Sequence, residues 1–159
     1  MKRTVTLSVN GEPWGVDVEP NDTLLEVLRA KIGIKSPKVG CERGDCGSCT
    51  VLLDGRTVRS CLVLAVEADG SEIVTVEGLS REGPNELQRA FIERNAFQCG
   101  FCAPGIVLAA TELLAKNASP TEDDVREAIS GNLCRCTGYE PIVEAILDVG
   151  RRGGGGDDA

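Results

Sequence analysis

Residues 40–55 read Gly-Cys-Glu-Arg-Gly-Asp-Cys-Gly-Ser-Cys-Thr-Val-Leu-Leu-Asp-Gly. Cys41, Cys46 and Cys49 stand in this loop, and Cys61 follows, giving a C-x4-C-x2-C-x11-C pattern. The first part is the spacing of plant-type 2Fe-2S proteins. Such a cluster needs four thiolates converging on two irons and a backbone that wraps closely around the inorganic sulfides. Glycines allow that approach and free N–H groups to face sulfur, and Gly40, Gly44 and Gly47 supply them. A zinc site is the alternative, although zinc more often takes two C-x2–4-C knuckles. Glu42, Arg43 and Asp45 in the same loop read as its solvated surface.

Working outward, Val5, Leu7 and Val9 alternate, Asn10-Gly11 signals a two-residue hairpin, and Trp14, Val16 and Val18 alternate again. Asn21, Asp22 or Thr23 can cap a helix carrying Leu24, Leu25, Val27 and Leu28 that ends near Gly33. After the cysteine loop, strands are predicted over 50–53, 57–64 and 73–76, with Asp54-Gly55 as a turn. The order is strand, strand, helix, loop, then three strands.

The pattern turns helical after Glu82-Gly83-Pro84. Leu87, Ala90, Phe91 and Arg94 define one face. Pro104 can open a second helix with Ile106, Val107, Ala110, Leu113 and Leu114 inward. Ser119-Pro120-Thr121-Glu122 starts a third, with Thr121 and Asp124 an equally good capping pair. It buries Val125, Ala128 and Ile129 and stops at Gly131. Pro141 opens a fourth, with Ile142, Val143, Ile146 and Leu147 inward and Gly150 as its stop. Residues 151–159 read as a flexible glycine-rich tail. The domains expected are therefore 1–78, β-rich, and 84–150, four-helical.

The second half carries the other four cysteines, Cys99 and Cys102 as C-x2-C and Cys134 and Cys136 as C-x-C. Spacing alone leaves a cluster, a zinc site or a redox disulfide open. Position favours a cluster: each pair precedes a predicted helix N-terminus, where free N–H groups and the helix dipole stabilise anions.

The chain has 159 residues, eight cysteines and no histidine. Histidine-based acid–base chemistry, Cys2His2 zinc and Rieske ligation are thereby excluded in this chain. Seventeen basic against 25 acidic residues give a formal charge of −8, which argues against nucleic acid and anionic membranes as partners. No apolar run is long enough to span a membrane, so no membrane insertion is expected. Met1-Lys2-Arg3 leads directly into alternating residues without a signal-peptide core. A cytoplasmic location is expected, where eight cysteines point to metal rather than to disulfides.

Four stretches together, GCERGDCGSCTVLLDG (40–55), Ser60-Cys61-Leu62, FQCGFCAPG (97–105) and SGNLCRCTGYEPIVEAI (130–146), resemble the small iron–sulfur subunit of the molybdenum hydroxylases, the xanthine dehydrogenase family. Ala103, where the family more often has Thr, is a departure outside the ligand positions. The resemblance implies an α+β chain: a β-grasp plant-type ferredoxin domain, then a four-helix-bundle 2Fe-2S domain. It implies that Cys41, Cys46, Cys49 and Cys61 hold a distal cluster, and that Cys99, Cys102, Cys134 and Cys136 hold a proximal one. It also implies that Gln98 and Cys136 approach a molybdopterin cofactor on a large partner subunit, with FAD on a medium subunit. The chain would relay single electrons from molybdenum to FAD or another acceptor and carry no catalytic residue of its own. A free-standing ferredoxin and a zinc-stapled interaction module are the other two readings.

Overall fold

The computed structural model describes residues 1–153. Strands β1 (Arg3–Val9) and β2 (Glu12–Val18) form the expected hairpin. Asn10 and Gly11 both take positive φ, 53° and 80°, the turn whose twist suits antiparallel strands. Strands β3 (Thr50–Leu53), β4 (Arg56–Arg59) and β5 (Glu72–Val74) complete a five-stranded sheet in the order β2-β1-β5-β3-β4. β5 runs parallel to β1 and antiparallel to β3.

One face of this sheet buries Val5, Leu7, Val9, Val16, Val51 and Ile73 against Leu24, Val27 and Leu28. Each such side chain contributes roughly 1.5–3 kcal/mol on burial. The covering helix begins as α1 (Leu24–Glu26), where Thr23 and Glu26 form a capping box. The sequence predicts a regular helix to Gly33, but the chain widens into a π-helix over Val27–Ile32. Gly33, at φ 92°, then lets the Ile34 N–H return to the Leu28 carbonyl.

Two predicted strands are shorter than expected. β4 ends at Arg59, not at 64, because the Leu62 N–H closes a turn on the Arg59 carbonyl and the Ser60 hydroxyl donates to the Cys49 carbonyl. That turn swings Cys61 back toward Cys49. β5 ends at Val74 because the Thr75 N–H goes to the Asn10 side chain instead of a neighbouring strand.

A short helix, α2 (Val76–Leu79), leads into four helices: α3 (Glu86–Glu93), α4 (Ala103–Lys116), α5 (Glu122–Ile129) and α6 (Glu140–Gly153). They enclose a second core built on Leu87, Phe91, Ile106, Val125, Ile129, Ile142 and Ile146. Asn85 with Gln88 caps α3, and Thr121 with Asp124 caps α5. Gly150 does not stop α6. A Cβ there would lie 2.7 Å from Pro120 Cδ, so this glycine serves close packing, and the helix runs on to Gly153. The first three residues of the expected tail are thus helical, and residues 154–159 lie outside the described residues.

Candidate metal centres

The first group is assembled by the loop between the π-helix and β3. The Arg29 guanidinium donates to the Lys35 and Pro37 carbonyls at 2.9 and 2.7 Å. The Lys38 N–H closes the loop on the Ser48 carbonyl. Within it Gly44 and Gly47 take φ of 85° and 74°, conformations that side chains resist. A Cβ on Gly40 would stand 2.8 Å from Cys46 Sγ. The Cys46 N–H donates to Cys41 Sγ at 3.3 Å. Backbone N–H groups of Arg43 and then Cys46 hold the Cys41 thiol down to about 6. Cys49 and Cys61 are buried with Leu25, and burial beside Cys49 pushes the Cys61 thiol up to about 11.

The second group joins two helix starts. Cys102 is the N-cap of α4, and Cys134 and Cys136 lie just before α6. Cys136 Sγ and Cys99 Sγ are 3.6 Å apart. Burial, with Cys134 alongside, pushes the Cys102 thiol up to about 12. Burial also opposes ionisation of Cys134, but the Thr137 hydroxyl at 3.0 Å and the N–H groups of Cys136 and Thr137 outweigh it and lower its pKa. The Tyr139 hydroxyl accepts the Cys134 N–H and donates to the Asn132 carbonyl. Gln98 is exposed, and its amide donates to the Cys136 carbonyl at 3.1 Å.

The first four thiols thus gather at one loop and the turn after β4, and the second four at two helix starts, where Cys99 and Cys136 come within 3.6 Å. Two thiolates bound at about 2.3 Å to one tetrahedral metal lie roughly 3.8 Å apart, close to the Cys99–Cys136 separation. A two-iron cluster takes two thiolates on each iron, whereas a single zinc draws all four equally close.

A polar joint that sequence reasoning did not anticipate links the two groups. The Leu133 N–H donates to the Cys46 carbonyl at 2.9 Å. The buried Asn132 amide donates to the Gly47 carbonyl and Thr50 Oγ1. Arg59 donates to Thr50 Oγ1 at 2.9 Å and to the Gly131 carbonyl at 2.7 Å. α4 seats itself here through Gly105, where a Cβ would stand 2.5 Å from the Gly47 carbonyl oxygen. The only sequence signal was a polar Asn inside the otherwise chemical run 130–136.

A sheet-based half and a helical half, each carrying four cysteines, define the class of a two-domain iron–sulfur protein. Residues 7–79 match the model described as a 2Fe-2S iron-sulfur cluster binding domain. Residues 75–147 match the [2Fe-2S] binding domain. The chain is 52% identical over 145 residues to the nicotine 6-hydroxylase small subunit of Paenarthrobacter nicotinovorans, covering 91% of this chain and 88% of that one. It superposes on a chain of quinoline 2-oxidoreductase from Pseudomonas putida 86 with a TM-score of 0.92 and 48% identity, over 99% of each. Aldehyde oxidoreductase from Desulfovibrio desulfuricans matches with a TM-score of 0.90 and 43% identity, over 94% of this chain but 17% of that one. The chain belongs to the small iron–sulfur subunits of the molybdenum hydroxylases, the xanthine dehydrogenase family, and is an electron-transfer subunit of such a complex. Among the described residues, no helix is long and apolar enough to cross a membrane.

Proposed function

We propose that Cys41, Cys46, Cys49 and Cys61 hold a distal 2Fe-2S cluster and that Cys99, Cys102, Cys134 and Cys136 hold a proximal one. The gathering of the thiols carries this reading: the Cys46 N–H lies on Cys41 Sγ, Cys49 and Cys61 share one buried cluster, and Cys99 and Cys136 stand 3.6 Å apart. When bound, the clusters supply one-electron redox chemistry, relaying electrons singly from a molybdenum centre on the large partner to FAD on a medium subunit or to another acceptor.

This chain's own residues bind, shield and connect. Backbone N–H groups around Cys41 and Cys134 favour their thiolates. Leu25 keeps water from the Cys49–Cys61 pair. The bond from Leu133 to the Cys46 carbonyl makes a continuous link between the two ligand sets. Cys99 and Cys136 are exposed, with Gln98 beside them and Phe101 and Leu133 presenting 46% and 55% of their surface. These exposed groups suit contact with the large subunit, with Gln98 and Cys136 toward molybdopterin. Leu62 and Val39, 61% and 47% exposed beside the first loop, suit the acceptor subunit. Domain limits of 1–78 and 84–150 and a cytoplasmic location complete the reading. The relatives are named for nicotine, quinoline and aldehyde chemistry, in keeping with a substrate chosen on the large subunit.

The test is anaerobic mixing of the assembled complex with the large subunit's substrate. Bleaching of the cluster absorption is expected, and its absence contradicts the relay. In the same assay Gln98→Ala should leave both clusters in place and slow turnover. Unchanged turnover returns Gln98 to a simple contact with the Cys136 carbonyl.

A further inference from the structure

The joint between the two halves holds a cation with no anion beside it. Arg59 forms no ion pair with any Asp or Glu of the described residues. Its two terminal nitrogens reach only neutral acceptors, Thr50 Oγ1 and the Gly131 carbonyl. Its Nε is the one buried side-chain nitrogen or oxygen among the described residues without a hydrogen-bond partner. Arg59 is half-buried, and a charge drawn partly from water without a counter-charge is costly, so this cation favours an anion beyond those of the described residues. Neither polar neighbour supplies one: Thr50 and Asn132 are neutral. Glu112, which reaches the strand through the Thr57 N–H, is already held by Lys116.

The fold brings both cysteine groups to this place. Arg59 lies two residues before Cys61, its partner Thr50 follows Cys49, and its partner Gly131 stands three residues before Cys134. The Cys46–Leu133 hydrogen bond crosses the same joint. We propose that Arg59 is the shared counter-charge of both clusters, an inference that rests on the ligand assignment above. An oxidised cluster with four thiolates carries about −2, and one-electron reduction adds a further negative charge. A fixed positive charge whose two partners, Thr50 and Gly131, each stand beside one ligand set favours the reduced form of each cluster. Arg59 thus raises both midpoint potentials and eases the presence of an electron on both centres at once. The competing role is that of an uncharged strut, a fork of donors that ties the halves together.

Redox titration of the assembled complex, followed by EPR, separates the two roles. Arg59→Gln keeps a side-chain donor and removes the charge. Arg59→Lys keeps the charge and removes the fork. Charge compensation requires both midpoints to shift downward in Arg59→Gln and to stay near wild type in Arg59→Lys. Midpoints unmoved in Arg59→Gln, or lowered equally in both variants, overturn the proposal. Iron and sulfide measured on the wild-type complex keep the two failures apart, because an absence of clusters there overturns the ligand assignment itself. Should Arg59→Gln fail to assemble, Arg59→Met is titrated in its place and is subject to the same two outcomes.

Discussion

Cys61 lies far along the chain from its three companions, and only the turn at Ser60–Leu62 returns it to Cys49. The second group draws every thiol contact from residues 99–137. Cys61→Ala should therefore remove the first cluster and leave the second, so that iron falls by about half and one EPR signal survives. Loss of both signals would show that the two centres do not form independently. At this scale the candidate ligand residues stand out in the sequence because spacing and glycine content are local. Arg59 and Asn132 do not, since Gly131 and Gly47, to which they donate, lie far away in sequence; Tyr139 does not, since its hydroxyl bonds backbone groups and leaves no periodic signal.

Among the elements, α4 is the bridge, resting on β3 and β4 through Gly105 and through the Glu112 contact with the Thr57 N–H. Burial works against the charge on Glu112, but Lys116 and the Thr57 N–H hold its pKa down to about 2, below the ordinary 4.5. A lowered carboxylate pKa gives stability that is fully present above the unfolded value and is lost as pH falls toward the folded one. Glu112→Gln should accordingly lower the Tm of the full chain at neutral pH, with the gap to wild type closing between about pH 4.5 and about pH 2. Thermal unfolding across that range checks it, and a gap independent of pH would remove the charge from the explanation. The hairpin turn, the Thr121–Asp124 cap and the four helices of the second half were readable because each depends on near neighbours in sequence, whereas the Asn85–Gln88 cap of α3 was not read. The π-helix, the early end of β4 and the continuation of α6 past Gly150 were not. The first follows the Ile34 return to Leu28 and the second the Leu62 turn onto Arg59, local closures without a periodic signal, whereas the third follows the packing of Gly150 on Pro120, remote in sequence.

As a whole the molecule has two main cores, one on the sheet and one among the helices, joined where the Leu133 N–H meets the Cys46 carbonyl. Cores of this size are marginal unaided, and a metal centre in each stabilises both by coupling binding to folding. The central claim, two 2Fe-2S centres in one chain, is tested most directly by iron and acid-labile sulfide analysis of anaerobically purified protein, with EPR after reduction. About four irons and four sulfides per chain with two distinguishable signals are predicted. About two of each, or zinc in place of iron in the second group, would contradict the two-centre account.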